Sequence, residues 1–193
     1  MSRPVTARSE RVAGIFADTI RLHQAALERG DVLVKAADAI VTALQRGGKV
    51  LVFGNGGSAA DAQHLVAELV GRFERDRRPL PALALTSDTS VLTSIANDCG
   101  YERVFARQIE ALGAPGDVAI AISTSGRSPN VVEAAALAQR RGLVVIAMTG
   151  RDGGPLGTAA DIHVNVPHEV TARVQEVQRT QMHAICALVE EGI

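Results

Sequence analysis

The 193-residue chain has 20 basic and 21 acidic residues, no Trp, and hydrophobic residues at 47% of its positions. A near-neutral charge and an aromatic content of 3% argue against nucleic-acid binding, which requires a basic surface and, for single strands, stacking rings. No apolar run approaches the roughly 18 residues of a membrane span, and no secretory signal is recognisable, so we expect a cytoplasmic protein that binds no membrane. The length predicts one domain, residues 1–193.

The two cysteines, Cys99 and Cys186, lie far apart and lack the CxxC spacing of a redox or metal site. A disulfide framework and a thiolate metal site are therefore not expected. Cys186 lies among apolar residues of a helical pattern, which predicts a buried thiol with a packing role.

The first 48 residues predict two helices. Apolar residues between positions 10 and 27 recur roughly at helical spacing, and those between 33 and 44 follow it closely. Asp31 near the start of the second pattern and Gly47-Gly48 behind it are typical of helix boundaries.

Beyond residue 48 the pattern changes to five short runs rich in Val, Ile and Leu. Most are continuous, as expected of strands buried on both faces. The runs are residues 50–53, 82–85, 118–122, 143–148 and 162–166. Helical patterns cover 58–71, 89–112 with a break near 97–100, 129–140 and 170–190, and the Gly-rich segment 150–157 predicts a turn. This alternation predicts an α/β fold with a parallel sheet covered on both faces.

Two polar motifs follow the first and third apolar runs, each ahead of a helical pattern: Gly54-Asn-Gly-Gly-Ser58 and Ser123-Thr-Ser-Gly-Arg-Ser128. In a sheet of strand order 2-1-3-4-5, these two loops become neighbours at the carboxyl edge, where such sheets bind ligands. The N-terminus of a helix presents free N–H groups and a partial positive charge, which suit a phosphate group. The motifs together predict a phosphorylated ligand.

Each motif also has a purely structural interpretation. The Gly-rich motif lacks the lysine of a Walker loop and the third glycine of a dinucleotide fingerprint, so a tight turn with positive φ explains it equally well. In the second motif, Ser128 ahead of Pro129 is a suitable helix cap. Capping requires one hydroxyl, however, and four are present, so we predict that this loop binds phosphate.

Two further pairs of polar residues lie on predicted helices. His64 and Glu68 are four residues apart and share a helix face, a spacing that is also typical of a surface pair. Gln175 and His183 are eight residues apart, about 12 Å of helical rise, which is near the limit for reaching one point. Spacing alone therefore does not predict a shared site.

Two polar segments have ordinary explanations. Asn97-Asp98 is typical of a helix end. The arginines between residues 72 and 78 alternate with acidic residues, so we expect a solvated loop for all of them except Arg72.

Taken together, these segments closely resemble the bacterial phosphoheptose isomerases, or sedoheptulose 7-phosphate isomerases, in order and at matching spacings over nearly the whole chain. The matching positions are 54–64, Glu68, 72–73, 96–98, 122–128, 148–150, 153–154, 166–167, 175–176 and His183. The resemblance implies the sugar-isomerase (SIS) fold, a flavodoxin-like five-stranded parallel sheet with helices on both faces. It also implies a homotetramer with active sites between subunits, in which residues 1–48 serve assembly and 49–193 form the α/β core.

The resemblance further implies a set of site residues. The phosphate would be held by Ser123, Thr124, Ser125 and Ser128. The sugar would be contacted by Asn55, Gly56, Gly57, Ser58, Glu68, Arg72, Asn97, Asp98 and Gln175. One zinc ion per subunit would be bound by His64, Glu68, Gln175 and His183, which supply nitrogen and oxygen donors suited to zinc.

The implied reaction converts D-sedoheptulose 7-phosphate to D-glycero-D-manno-heptose 7-phosphate through an enediol. Glu68 would be the base at carbon and His183 the acid that serves oxygen. A carboxylate and an imidazole that both bind zinc are weaker bases than free ones. Either the substrate displaces part of the coordination shell, or the metal polarises the substrate oxygens and so contributes to catalysis.

Two positions differ from relatives: Gln178 stands where several have His, and Ala172 where some have Asp. The main alternative function is that of a non-catalytic SIS protein that binds the bacterial replication initiator, but that group lacks the equivalents of Glu68 and His183. A phosphosugar-sensing regulator would carry a helix-turn-helix domain, whereas the first 48 residues here predict two packing helices.

Overall fold

A computed structural model describes residues 5–193, which contain eight α-helices, five strands and one 3₁₀ turn. The helices are α1 (Val5–Leu27), α2 (Gly30–Gln45), α3 (Gly57–Val70), α4 (Thr89–Cys99), α5 (Ala106–Leu112), α6 (Pro129–Arg140), α7 (Gly154–Ala159) and α8 (Thr171–Gly192). The strands are β1 (Val50–Gly54), β2 (Ala82–Ala84), β3 (Val118–Ser123), β4 (Val144–Gly150) and β5 (Ile162–Val166). No helix in the described range is both long enough and apolar enough to cross a membrane.

The five strands form one parallel sheet in the order β2-β1-β3-β4-β5. The predicted fold class is confirmed. In the central pair, Val50 lies opposite Val118 and Gly54 opposite Ile122, so β1 and β3 end at the same edge. The two polar motifs are therefore neighbours in space, as the strand order requires.

The core has two layers, one on each face of the sheet. Val50 and Val52 pack in the layer that includes α2, α3 and α8. Leu51 and Phe53 point to the opposite layer, which includes α5 and α6. Because every residue of β1 is buried, alternate side chains contact helices on both sides, and this explains the continuous apolar run.

Both N-terminal helices form, as predicted. Helix α2 contributes Ile40 and Leu44 to the core. Helix α1 packs against a small cluster that includes residues of α8, and it exposes Phe16 and Ile20, whose exposed fractions are 65% and 57%. An apolar face of this kind on a terminal helix is typical of a surface that contacts another protein.

Helix α7 is a departure from the prediction of a turn at 150–157. Gly153 adopts a left-handed conformation (φ 85°) that reverses the chain, and Pro155 then lies in the first helical turn, where its fixed φ is favourable. Leu156 is fully buried and anchors the helix to the sheet. Tertiary packing therefore stabilises a Gly-rich segment whose own helix propensity is low.

The predicted packing role of Cys186 is confirmed. Its side chain is buried in the layer that includes α3 and α8, and burial raises the pKa of its thiol to about 12. The thiolate that would be needed for nucleophilic or redox chemistry is therefore scarce at neutral pH.

Candidate active site

The Gly-rich turn after β1 allows three elements to approach one another closely. Gly56 has a φ of 57°, the left-handed conformation that its structural interpretation requires. A Cβ on Gly54 would lie 2.7 Å from the carbonyl oxygen of Ile122, and a Cβ on Gly57 would lie 2.3 Å from Nε2 of Gln175. Because Gly54 and Gly57 have no side chains, β3 can pack against the end of β1, and the amide of Gln175 can pack against the start of α3.

The serine-rich loop after β3 gathers three hydroxyls. Ser123 Oγ lies 3.1 Å from Ser128 Oγ and 3.4 Å from Ser125 Oγ. Ser128 occupies the N-cap position of α6 but makes no side-chain capping hydrogen bond, so capping does not explain this residue. Thr124 is half-buried in the same loop. Clustered hydroxyls at the N-terminus of a 12-residue helix are suited to binding a phosphate group.

The turn between β4 and α7 supports this loop. Gly126 has a φ of 64°, and a Cβ at this position would lie 1.9 Å from the carbonyl oxygen of Gly153. The backbone N–H of Leu156 donates to the carbonyl of Gly126 at 3.1 Å. Arg127 also forms an ion pair with Asp152 at 2.5 Å. The conformation of the serine-rich loop is therefore set by direct backbone packing.

Three of the predicted metal-binding residues converge between α3 and α8. His64 Nε2 lies 3.0 Å from Glu68 Oε1 and 3.1 Å from His183 Nε2. One potential ligand atom from each residue lies within 4.8 Å of those of the other two. A simple surface pair of His64 and Glu68 does not account for the third residue, which comes from another helix. Two imidazole nitrogens and a carboxylate oxygen within 4.8 Å of one another fit the donor set of zinc.

Gln175 and His183 line the same cleft, despite their separation along α8. The cleft has a volume of about 510 Å³, and Arg179 and Thr180 also contribute to its wall. Two residues that are eight positions apart on α8 therefore line one cleft. The spacing, which is near the limit for reaching one point, is therefore compatible with a shared cleft.

The structure leaves three other predicted residues apart from this cluster. Asn97 and Asp98 lie exposed near the end of α4, where Asn97 Nδ2 donates to Asp98 Oδ1 at 2.7 Å. Arg72 is also exposed. Within residues 5–193, none of the three forms a hydrogen bond or ion pair with the remaining predicted site residues, so their roles stay predictions.

Asn55 is held by two residues to which no sequence motif pointed. Its side chain exchanges two hydrogen bonds with Asn130, at 2.8 and 2.9 Å, and accepts one from Tyr101 Oη at 3.2 Å. These residues, with Glu102 and Ser128, line a cavity of about 230 Å³ beside the serine-rich loop. Asn130 directly follows Pro129, the first residue of α6, and is only 2% exposed, but its burial results from tertiary packing and has no local sequence signal.

The expectation of a solvated arginine loop is wrong for Arg77. Its side chain is only 10% exposed, and its Nε lies 2.9 Å from Oε1 of Glu190. The guanidinium reaches the carbonyl groups at the end of α3, which have no partner inside the helix. The charge pattern around Arg77 cannot reveal Glu190 as its partner, because Glu190 lies far away along the chain.

Gln178 is fully buried, and its Nε2 donates to the carbonyl of Thr149 at 3.1 Å. This residue therefore connects α8 to β4, whereas Ala172 is exposed near the start of α8. The two departures from relatives consequently lie in different environments.

Comparisons with known proteins agree with one another. A family model described as SIS domain matches residues 15–150. A phosphoheptose isomerase from Halorhodospira halophila is 52% identical over 188 residues, which cover 95% of each chain. Another from Aquifex aeolicus is 52% identical over 185 residues, 95% of this chain and 97% of the relative. The structure of a phosphoheptose isomerase from Neisseria gonorrhoeae matches with a TM-score of 0.90 at 47% identity, covering 95% of this chain and 98% of the other.

Proposed function

The chain belongs to the phosphoheptose isomerases of the SIS domain family, and from this membership we propose the residues that perform its reaction. It is an isomerase that interconverts sedoheptulose 7-phosphate and an aldoheptose 7-phosphate. The observation that supports the assignment most strongly is the convergence of His64, Glu68 and His183 within 4.8 Å. Incubation with sedoheptulose 7-phosphate should produce the aldose, and a folded, zinc-supplied protein that produces none would contradict the assignment.

Glu68 acts as the base at carbon and His183 as the acid that serves the oxygens. Glu68 removes a proton from C1 of the open-chain ketose, and the resulting enediol receives a proton at C2. His183 donates a proton to O2 and accepts one from O1, so the overall proton count is conserved. Support comes from the half-buried position of both side chains and from their place in one cluster, in which His183 lines the cleft.

His64, Glu68, Gln175 and His183 would hold one zinc ion. The close approach of two imidazole nitrogens and a carboxylate supports this proposal, because zinc accepts such donors. When bound, the metal supplies Lewis-acid polarisation of substrate oxygens. Gln175 contributes an amide oxygen, a weak ligand, so we expect the ion to exchange readily.

The remaining contacts serve to bind the substrate. The phosphate is bound by Ser123, Thr124, Ser125 and Ser128, and the clustering of three of these hydroxyls supports the assignment. The sugar is contacted by Asn55, Gly56, Gly57, Ser58, Arg72, Asn97, Asp98 and Gln175. The assignment of these sugar-contacting residues is based on the family resemblance.

Gly126→Ala should weaken phosphate binding. Alanine at a φ of 64° is strained, and its Cβ would displace the carbonyl of Gly153 that supports the serine-rich loop. We expect KM to rise roughly tenfold and kcat to change by less than about threefold, because the acid and base are not moved. Gly116→Ala is a matched control, since Gly116 also has a positive φ (90°) but its Cβ would meet no atom within 4 Å. An unchanged KM in folded Gly126→Ala would refute a phosphate-binding role for this loop.

The active assembly is a homotetramer with sites between subunits. The exposed apolar face of α1, which includes Phe16 and Ile20, supports an assembly role for the N-terminal helices. Light scattering should give a mass of four subunits, and Phe16→Glu should lower it by placing a charge in the interface. An unchanged mass in the variant would contradict the role of α1.

A further inference from the structure

A buried ion pair outside the proposed site connects the loop after α3 to α8. These two helices carry the proposed base and the proposed acid. Arg77 follows α3, and Glu190 lies near the end of α8; Nε and Oε1 are 2.9 Å apart. The side chains are only 10% and 2% exposed. Neither residue lines the cleft beside His183. Neither residue is therefore expected to bind substrate directly. Their role is inferred from the contacts that each makes with α3, with α8 and with the loop after α3.

On one side, Arg77 holds the end of the helix that carries the base. Its Nη2 donates to the carbonyl of Glu68 at 2.7 Å, and its Nη1 donates to the carbonyl of Leu69 at 2.9 Å. Carbonyls in the last turn of a helix have no partner within that helix, so the guanidinium acts as its cap. The backbone of Glu68 is thereby fixed by a group that is itself fixed by α8.

On the other side, Glu190 holds the loop after α3 against α8. Its carboxylate accepts hydrogen bonds from the backbone N–H groups of residues 73–75 at 2.8, 2.9 and 2.9 Å. Burial alone would raise the pKa of this carboxyl, but these three bonds and Arg77 lower it to about 2. The carboxylate is thus charged at any pH at which the enzyme would be assayed.

The loop held by Glu190 contacts the proposed acid. The ring of Phe73 packs on the imidazole of His183, with ring centroids 5.5 Å apart and planes tilted by 35°. The same buried pair therefore constrains the backbone of Glu68 and the aromatic wall of His183. Buried ion pairs add little net stability, because desolvation offsets their attraction. Geometric control explains the pair better than stability does.

We propose that Arg77 and Glu190 are positioning residues that hold Glu68 and His183 in their working geometry. The inference rests on the proposed roles of Glu68 and His183. A displacement of about 1 Å in a catalytic group can cost on the order of 100-fold in rate, so even a small relaxation of this clamp is measurable.

The test is Glu190→Gln, which preserves shape but turns an amide NH₂ toward groups that are all donors. We expect kcat to fall about 10- to 100-fold with KM changed less than about threefold. Zinc affinity, measured by chelator competition on metal-free protein, should weaken about tenfold, since supporting residues orient metal ligands. Arg77→Lys keeps the charge but lacks the planar fork, and it should also lower kcat.

Asp117→Asn provides the matched control. Asp117 is a buried carboxylate at the amino ends of the strands, and it accepts bonds from the backbone N–H groups of Lys49 and Ala114 and from the Lys49 ammonium at 3.0, 2.9 and 2.6 Å. This variant should lose comparable thermal stability, yet retain its kcat and zinc affinity. Both variants are to be assayed well below their melting temperatures, so that folded protein is compared with folded protein.

The proposal is overturned if Glu190→Gln and Arg77→Lys lose stability like Asp117→Asn but keep wild-type kcat and zinc affinity. If Glu190→Gln does not fold, Arg77→Lys decides by the same measurements. If the proposed function itself is wrong, the wild-type protein will show no isomerase activity, which distinguishes this outcome from failure of the positioning role. In that case zinc affinity alone decides whether the pair positions Glu68 and His183.

Discussion

Glu68→Gln is expected to reduce kcat about 100- to 10,000-fold while leaving fold and assembly intact. General-base catalysis contributes on the order of 100- to 10,000-fold, and an amide cannot accept the C1 proton. The substitution keeps the size of the side chain, which is only partly buried, so little destabilisation is expected. The measurement is the initial rate of aldose formation at saturating zinc. Glu169→Gln, at a glutamate whose side chain is 81% exposed, is the control and should be fully active.

Because Glu68 is also a proposed metal ligand, its two roles need to be separated. His64→Gln removes a ligand of the same cluster but no proposed acid or base. High zinc concentrations should therefore restore much of the activity of His64→Gln and none of that of Glu68→Gln. If zinc restored both variants equally, Glu68 would act only as a ligand, and the assignment of the base would be wrong.

His183→Gln is expected to lower kcat for aldose formation about 100- to 1,000-fold. Without the imidazole, no positioned group transfers protons between O1 and O2, although Glu68 can still remove the C1 proton. Exchange of the C1 hydrogen with solvent should therefore fall less than net conversion does. NMR in D₂O measures both quantities in one sample. Equal loss of exchange and conversion would instead assign His183 a role in forming the enediol, and activity within about threefold of wild type would exclude it as the acid.

The fold could be predicted almost completely from the sequence because its signals are local. Strands β1 and β3 are buried on both faces and appear as continuous apolar runs, and the predicted break near residues 97–100 coincides with Gly100, whose φ is 91°. Helix α7 was missed because its stability comes from the burial of Leu156 rather than from its own residues.

The site was predictable only in part, because it depends on contacts between distant segments. The spacing of His64 and Glu68 places both on one face of a helix, but only the packing of α3 against α8 brings His183 to within 3.1 Å of His64. The family resemblance supplied that third residue. Nothing local distinguished Arg77 from its solvated neighbours, since its function depends on a carboxylate near the other end of the chain.

The most direct test of the proposed chemistry is the reaction of the wild-type protein with sedoheptulose 7-phosphate in D₂O, followed by NMR with zinc supplied. Removal of a C1 proton by Glu68 and return of a solvent-derived one predict deuterium at C2 of the aldose and at C1 of recovered ketose. An aldose formed without deuterium would show that the C1 hydrogen reaches C2 without exchange with solvent, and would contradict the exchange predicted here. A folded tetramer with neither exchange nor aldose would contradict catalysis itself and favour the non-catalytic binding protein.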